Sequence, residues 1–416
     1  MVKKKKPQIY IIDVTNRDGV QTSRIGLAKL EKTIINLYLN DMGIFQSEFG
    51  FPFTKHETNY LNANLKLQAT GKELGSIRLE GWCRAMTKDI DLAFKMVPKI
   101  KHLNLSVSTS DIMLKGKFGD KKSKDDIINM MTEAVDAAYK KGAKSIGVNA
   151  EDASRSDMDY LIKFAKAAKE HGATRIRYCD TLGAEDPMNI YKRLNQLAQE
   201  TEIAWELHCH NDLGMGVACS VAGAKGVIDA GQDAYINTTI NGVGERAGNA
   251  DLLSVLLALK YSSGFKNENL FPKGINLKKA WTFAQYASYA FDIPIPLNQV
   301  GIGSNAFAHE SGIHADGALK NRRNYELYDY EELGLGETKV VETGRMITVG
   351  EYSGIKGFRN VYGKLAIEFK DDNEAAKILE LARYANVHTQ KSLTENELYF
   401  VARYPEIARL IMTVTP

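Results

Sequence analysis

The sequence predicts an α/β protein with a closed (β/α)8 TIM barrel, followed by a smaller, mainly helical C-terminal region. Short runs of β-forming residues alternate with longer amphipathic stretches, which favours parallel βα units. Eight such units over about 250 residues match a closed barrel. An open doubly wound sheet is the alternative, but the GxGxxG motif that often follows its first strand is absent.

The predicted strands appear in regular order along the first two thirds of the chain. They occupy residues 9–15, 43–50, 77–83, 102–108, 145–152, 175–181, 204–212 and 234–242. Helical patterns lie between them, for example at 127–142 and at 158–172, where Gly172 is a typical helix stop.

The alternation stops beyond about residue 275, which predicts a change of domain. We expect a catalytic barrel over 1–275 and a linker or lid segment over 276–320, whose part at 291–317 is rich in Gly, Asn and Pro. The remainder, 321–416, is predicted as a C-terminal helical subdomain. It would pack on the barrel or be exchanged between two barrels.

Composition and charge exclude several classes of protein. The 416 residues are 44% hydrophobic and 25% charged, with a net charge of only +3, so we expect a globular core and no nucleic-acid partner. No apolar stretch could cross a bilayer, and none follows the basic opening "MVKKKK". The four cysteines form no CxxC pair. These features predict a cytoplasmic protein with free thiols and no membrane partner.

Polar residues follow every predicted strand, at the end of the barrel where function is expected. Chance would scatter them instead. In strand order they are Asn16, Arg17, Asp18 and Gln21; Glu48; Arg84; Ser108 and Ser110; Asn149, Glu151 and Asp152; Asp180 and Thr181; His208 and His210; and Glu245, Arg246 and Asn249.

His208 and His210 are the first candidates for a metal site. Being two apart on a strand, their side chains point to the same face, which inside a barrel is the lumen. Two imidazoles and a carboxylate can bind a divalent ion and leave positions open for substrate oxygens. Asp18 on the first strand can supply the carboxylate. The alternative for an isolated HxH is a surface pair or two hydrogen-bonded core histidines.

The polar groups around this pair suggest substrate binding. Arg17 could hold a substrate carboxylate or polarise a carbonyl, whereas a purely structural role would be an ion pair closing the barrel. Thr181 could donate to the same carboxylate, or cap its strand. The loop "NGVGERAGN" is either a turn or a rim loop that brings Asn249 to the metal.

The segment "HESGIHADG" at 309–317 contains two of the eight histidines in the chain. It is either a polar linker or a loop over a barrel mouth that brings an acid–base histidine.

These motifs resemble the metal-dependent acyl-CoA condensing family that includes isopropylmalate synthase, homocitrate synthase and 3-hydroxy-3-methylglutaryl-CoA lyase. The resemblance covers nearly the whole chain. It rests on "TNRDGVQT", "HCHNDLGMG", "NGVGERAGN" and "NAFAHESGIHADG". The last motif is similar to the synthases and is not expected in the lyase.

The resemblance implies roles for individual residues. It implies a divalent metal, manganese or magnesium with cobalt or zinc as further possibilities, and a domain-swapped homodimer in which the partner supplies His314 and Tyr325. The implied metal ligands are Asp18, His208 and His210, with Asn249 as helper or fourth ligand; the catalytic groups are Arg17, Glu151, His314 and Tyr325; and the substrate-binding groups are Arg17, Gln21, Arg84, Ser110 and Thr181.

The family's chemistry is a condensation of acetyl-CoA with a 2-oxo acid, followed by hydrolysis of the thioester. A desolvated Arg84 would favour a dicarboxylic acid. Gly147 stands where lysine-pathway homocitrate synthases carry an arginine, and residues 15–22 and 46–65 most resemble the (Re)-type citrate synthases, which use oxaloacetate. The alternatives are 2-oxoglutarate as in homocitrate synthase, an isopropylmalate or citramalate synthase, a lyase-type cleavage, and a metal-binding barrel without activity.

Overall fold

The computed structural model describes residues 6–336 and 348–414. Eight parallel strands form a closed barrel in chain order, and the first strand is hydrogen-bonded to both the second and the eighth. The predicted barrel is therefore confirmed. The strands are β1 (Ile9–Asp13), β2 (Gln46–Gly50), β3 (Arg78–Arg84), β4 (His102–Ser108), β5 (Ser145–Glu151), β6 (Arg175–Asp180), β7 (Ala204–Cys209) and β8 (Ala234–Thr238).

Helices connect each strand to the next around the outside of the barrel. Two of them lie between β4 and β5, and one follows β8. They are α1 (Lys29–Asp41), α2 (Thr58–Ala69), α3 (Thr87–Met96), α4 (Asp111–Phe118), α5 (Lys124–Lys140), α6 (Met158–Glu170), α7 (Pro187–Thr201), α8 (Gly216–Asp229) and α9 (Leu252–Tyr261).

The C-terminal region is helical, as predicted. Residues 292–311 contain no helix or strand, and the last helix, α15, packs against α1 and α2 of the barrel. The boundaries expected at 275 and 320 stay predictions, and residues 1–5, 337–347 and 415–416 of the predicted regions lie outside the described residues. The helices are α10 (Ala280–Phe291), α11 (Gly312–Lys320), α12 (Ile355–Lys364), α13 (Asp372–Thr389), α14 (Glu395–Arg403) and α15 (Pro405–Met412).

Local sequence explains where these elements begin and end. The side chain of Asp157 accepts a hydrogen bond from the backbone N–H of Tyr160 and so caps α6. Gly172 follows this helix with φ of +93°, a left-handed conformation that favours glycine. The predicted helix stop is therefore confirmed.

The length of the helices and the state of the cysteines are two further features of the fold. None of the described helices is long and apolar enough to span a bilayer. All four cysteines are buried free thiols, as predicted.

Charged side chains fill the middle of the barrel. Arg177 on β6 donates to Glu206 on β7 at 2.5 Å and to Glu48 on β2 at 2.9 Å. Because β2 and β6 are not neighbours, this contact crosses the barrel interior. Arg175 bridges Glu206 and Glu80 in the same way. All five side chains are buried, so each charge depends on its partners to offset the cost of leaving water.

We expect Arg177→Met to lower the free energy of unfolding by about 3–5 kcal/mol, because it leaves Glu48 and Glu206 buried without this partner. The measurement is urea unfolding followed by tryptophan fluorescence. The control is Arg359→Met, which removes an exposed ion pair with Asp372 and should cost about 1 kcal/mol or less. Equal losses in the two variants would contradict a special role for the interior charges.

Candidate metal centre and active site

Asp18, His208 and His210 lie together at the C-terminal mouth of the barrel. Their potential ligand atoms are all within 4.8 Å of one another, and all three residues are buried. The distance from His210 Nε2 to Asp18 Oδ2 is 4.0 Å. Barrel closure explains this proximity, because β1 and β7 both flank β8. The structure therefore brings together the three residues that the sequence predicts as metal ligands.

The protonation states of this cluster suit a metal ion. Burial by itself raises the pKa of Asp18, but the charge of Arg17, together with smaller effects of His208, His210 and a hydrogen bond from Asn249, outweighs it and holds the pKa well below its ordinary value. Burial lowers the pKa of both histidines, which favours neutral imidazoles. Among the described residues, the Nδ1 atoms of both rings are buried without hydrogen-bond partners. An ionised carboxylate beside two neutral imidazoles is a donor set that fits a divalent cation.

The loop after β8 positions Asn249 beside Asp18. Asn249 Nδ2 donates to Asp18 Oδ2 at 2.6 Å, while its Oδ1 is buried and without a hydrogen bond in the described part of the chain. A Cβ on Gly244 would lie 2.0 Å from Asn249 Nδ2, and one on Gly248 would lie 2.0 Å from the Gly242 carbonyl oxygen. The glycines of "NGVGERAGN" therefore allow this loop to fold tightly enough for Asn249 to reach the cluster.

Arg17 lies between the Asp18–His208–His210 cluster and the charged side chains of the barrel interior. Its Nη1 donates to Asp18 at 2.7 Å and its Nε donates to Glu48 at 2.6 Å. Its Nη2 is buried and has no partner among the described residues, which leaves one donor for a ligand. Since Arg17 follows β1 at the C-terminal mouth, it does not close the opposite end of the barrel.

A cavity of about 230 Å3 opens in front of this cluster. Nine residues named from the sequence line it: Arg17, Asp18, Gln21, Asn149, Glu151, Thr181, His208, His210 and Glu245. Thr181 Oγ1 accepts from the backbone N–H of Asp152 at 3.0 Å, so its hydroxyl hydrogen remains available to a substrate. The full lining is Arg17, Asp18, Gln21, Phe51, Trp82, Ser106, Asn149, Glu151, Cys179, Thr181, His208, His210 and Glu245.

Sequence reasoning missed four lining residues, Phe51, Trp82, Ser106 and Cys179. A signal was present for three of them, because side chains alternate along a strand with a period of two. Trp82, Ser106 and Cys179 each stand two residues before a rim residue that was identified: Arg84, Ser108 and Thr181. On these strands, the residue two positions before a polar residue at the strand end therefore predicts a further residue of the cavity wall.

Arg84 does not line this cavity. Its guanidinium is held by Asp89 through two hydrogen bonds of 2.7 and 2.9 Å, and its side chain is 57% exposed. The expectation of a desolvated arginine at this position is wrong, because Arg84 is the last residue of β3 and turns towards the first turn of α3.

Ser110 is also outside the cavity lining. It is buried, where its hydroxyl caps α4 by accepting from the Met113 N–H and also contacts Asp152. These contacts occupy the hydroxyl, and the structure does not bring it to the metal cluster.

His314 and Tyr325 lie together, but not at the metal cluster of their own chain. Their ring centroids are 4.4 Å apart, and neither lines the cavity. No residue of α11 is buried, and Ile313 and Leu319 on this helix are 76% and 89% exposed. The catalytic role of His314 and Tyr325 stays a prediction.

A second, larger cavity lies next to the first. The outer cavity has a volume of about 540 Å3, and it shares Trp82, Ser106 and Glu151 with the inner cavity. Glu151 accepts hydrogen bonds from Ser108 at 2.5 Å and from Lys117 at 2.6 and 2.8 Å. Its carboxylate therefore stands at the boundary between the two spaces.

Comparison with known proteins agrees with this architecture. A citrate (Re)-synthase of Dehalococcoides mccartyi is 60% identical over 98% of this chain and 99% of its own length. A 2-isopropylmalate synthase 2 of Caldanaerobacter subterraneus is 38% identical over 96% of each chain. The solved hydroxymethylglutaryl-CoA lyase of Pseudomonas aeruginosa has a TM-score of 0.55 at 14% identity, covering 70% of this chain and 95% of that one, which shows a shared fold.

Family models account for most of the sequence. The model described as homocitrate synthase post-HMGL domain-like matches residues 302–389. The model described as HMGL-like matches residues 8–286, which include all eight strands and the metal cluster. The chain therefore belongs to the HMGL-like family.

Proposed function

We propose that this protein is a divalent-metal-dependent citrate synthase of the (Re) type, which condenses acetyl-CoA and oxaloacetate. Water and the two substrates give citrate and CoA. The observation that carries the proposal is the buried Asp18–His208–His210 cluster, which faces a small cavity beside an unpaired nitrogen of Arg17. The 60% identity to a citrate (Re)-synthase over nearly the full chain supports oxaloacetate as the acid.

Asp18, His208 and His210 would hold the ion, and Asn249 orients the Asp18 carboxylate. Manganese and magnesium suit the family, and cobalt and zinc also accept this donor set. A bound divalent ion supplies a Lewis acid that polarises the 2-oxo group of the substrate.

The polar groups of the inner cavity orient the 2-oxo acid. The free Nη2 of Arg17 donates to the 2-oxo oxygen and draws charge from the carbonyl carbon. Thr181 donates to the C1 carboxylate, and Gln21 lines the same cavity.

The distal carboxylate of oxaloacetate needs donors at the far side of this cavity. Ser106 supplies a hydroxyl there, and Asn149 supplies an amide nitrogen, because its carbonyl oxygen already accepts from the Cys179 thiol. These short polar groups suit a short diacid in a cavity of about 230 Å3. This assignment replaces the one predicted for Arg84.

The proposed general acid–base groups are Glu151, His314 and Tyr325. Glu151 lines both cavities, and we assign to it the removal of the methyl proton of acetyl-CoA. We assign His314 and Tyr325 to the neighbouring barrel of a homodimer, because α11 exposes apolar residues and lies outside its own cavity. A cytoplasmic location belongs to the same proposal, since all four cysteines are free thiols.

The substrate assignment predicts rapid CoA release from acetyl-CoA with oxaloacetate and Mn2+ or Mg2+. We expect much slower release with 2-oxoglutarate, 2-oxoisovalerate or pyruvate, because the inner cavity offers a short polar pocket. The measurement is thiol release with each acid, before and after treatment with EDTA. A preference for 2-oxoglutarate would indicate a homocitrate synthase, and release unaffected by metal removal would contradict the metal's role.

His210→Ala should weaken Mn2+ binding by about 100-fold or more and abolish citrate formation, because it removes one of three ligands. Isothermal titration with Mn2+ measures the binding directly, and circular dichroism checks that the fold is retained. His171→Ala is the control, since His171 is exposed and paired with Asp136. Unchanged Mn2+ affinity in His210→Ala would refute the site.

The shared active site predicts complementation between two inactive variants. Asp18→Asn and His314→Ala should each lose activity, whereas a refolded equal mixture should recover about one quarter of the wild-type rate. Half of the dimers are then mixed, and each contains one intact site. If the mixture remained inactive, His314 would act within its own chain or not at all.

A further inference from the structure

Three loops at the C-terminal mouth of the barrel meet around the side chain of Arg246. They are loop 6 (181–186) after β6, loop 7 (210–215) after β7 and loop 8 (239–251) after β8. The loops carry Thr181, His210 and Asn249, which the proposed function uses to bind the acid and the metal. Arg246 has no task in that proposal, although it is the side chain that joins the three loops.

The Arg246 guanidinium contacts loop 6 and loop 7 at the same time. Its Nε and Nη2 donate to the two carboxylate oxygens of Asp212 in loop 7, at 2.9 and 3.0 Å. The same Nη2 donates to the backbone carbonyl oxygen of Thr181 in loop 6 at 2.5 Å. A planar guanidinium makes these contacts together because its donors form a rigid fork, which a lysine ammonium lacks. One side chain of loop 8 therefore fixes the spacing of all three loops.

The backbone of Arg246 also indicates a positional role. Its φ is +55°, in the left-handed region that residues with a Cβ rarely adopt. Such a conformation persists where the surrounding contacts enforce it, and it is concentrated at functional sites. The side chains of Arg246 and Asp212 are 36% and 27% exposed, so their ion pair contributes modestly to folding. The contact therefore orders the mouth of the barrel more than it stabilises the barrel.

Thr181 is held from two directions. Its hydroxyl oxygen accepts a hydrogen bond from the backbone N–H of Asp152, and its carbonyl oxygen accepts one from Arg246. Thr181 lines the inner cavity, whereas Arg246 and Asp212 do not.

We infer that Arg246 is a positioning residue. Paired with Asp212, it holds Thr181 where the threonine hydroxyl donates to the C1 carboxylate of the 2-oxo acid. The inference rests on the proposed function and deepens it, because it names a residue outside the cavity on which binding of the acid depends.

The metal cluster has supports that do not pass through the Arg246 side chain. The backbone N–H of Asn211 donates to the Gly248 carbonyl oxygen at 3.0 Å. Asn249 Nδ2 donates to Asp18 Oδ2 at 2.6 Å. Loss of the Arg246 guanidinium should therefore weaken binding of the acid and leave the affinity for Mn2+ near its wild-type value.

The experiment compares Arg246→Met, Arg246→Lys and Asp212→Asn with the wild type. Arg246→Met should raise the KM for oxaloacetate about 10-fold, because it misplaces one hydrogen bond to a charged carboxylate. The KM for acetyl-CoA and the Mn2+ affinity should stay near their wild-type values. Arg246→Lys should restore part of the loss, since an ammonium keeps the charge but not the fork.

A double variant tests whether the two side chains act as one unit. Combining Arg246→Met with Asp212→Asn should cost no more than Arg246→Met alone, because both changes remove the same contact. Lys163→Met is the matched control. It removes an exposed ion pair of 2.6 Å with Asp125, between α5 and α6, and should leave every one of these constants unchanged.

Amide hydrogen exchange of the protein without ligands measures the ordering of the loops apart from catalysis. Loops 6 and 7 should exchange about 10-fold faster in Arg246→Met than in the wild type, while β6 and β7 keep their rates. Lys163→Met should leave all four segments unchanged. Wild-type exchange rates in Arg246→Met would overturn the inference whatever acid the protein condenses.

Two further results would also overturn it. A fall in Mn2+ affinity as large as the rise in the KM for oxaloacetate would mean that Arg246 supports the metal cluster and not Thr181. Losses that add in the double variant would mean that Arg246 and Asp212 act separately.

Calorimetric titration of oxaloacetate with Mn2+ present, and without acetyl-CoA, separates this inference from the proposed function. Binding that is about 10-fold weaker in Arg246→Met supports the positioning role even if no CoA is released, and in that case only the condensation is refuted. Equal binding by Arg246→Met and the wild type refutes the positioning role, even in a protein that forms citrate.

Discussion

A continuous network of buried ion pairs connects the Asp18–His208–His210 cluster to the middle of the barrel. Asp18 pairs with Arg17, Arg17 with Glu48, Glu48 with Arg177, and Arg177 with Glu206. Each carboxylate in this network contacts a guanidinium, so none of its charges is buried without an opposite charge. Removing one side chain would leave the charge of its neighbours without a partner. The ion pairs with Asp18 and Glu48 also hold the Arg17 guanidinium in one orientation. The same contacts that keep the interior charges stable therefore fix the position of Arg17 in the cavity wall.

Barrel closure brings Asp18 and His208 together, and a glycine-rich loop brings Asn249 to them. Residues more than 180 positions apart, Asp18 and His208, meet because β1 and β7 flank β8 in the closed sheet. Asn249 reaches Asp18 only because the loop after β8 can pack without side chains at Gly244 and Gly248. His208 lies on β7, His210 directly follows it, and Asp18 lies in the loop after β1. The loop after β8 supplies Asn249, which donates to the Asp18 carboxylate. A cluster held in this way is preorganised for the proposed ion.

The two adjacent cavities differ in size and in the residues that line them. The inner one is small, polar and next to the metal cluster, while the outer one is larger and has an apolar wall with lysines at its rim. Glu151 lines both, so the group proposed to move a proton stands at the boundary between them. Helix α11 stands apart from both cavities, and its apolar residues Ile313 and Leu319 are exposed in the single chain.

The sequence by itself determined the barrel, its eight strands and the metal cluster, because these depend on periodicity and on which residues end each strand. His208 and His210 face one way through strand geometry alone. Only the tertiary structure decided the place of Arg84 and Ser110. Both lie near the C-terminal ends of strands, as the other site residues do, but Asp89 holds Arg84 outside the inner cavity, and Ser110 caps α4 and contacts Asp152. Such choices depend on contacts with residues of the following helices and loops, which strand periodicity does not specify.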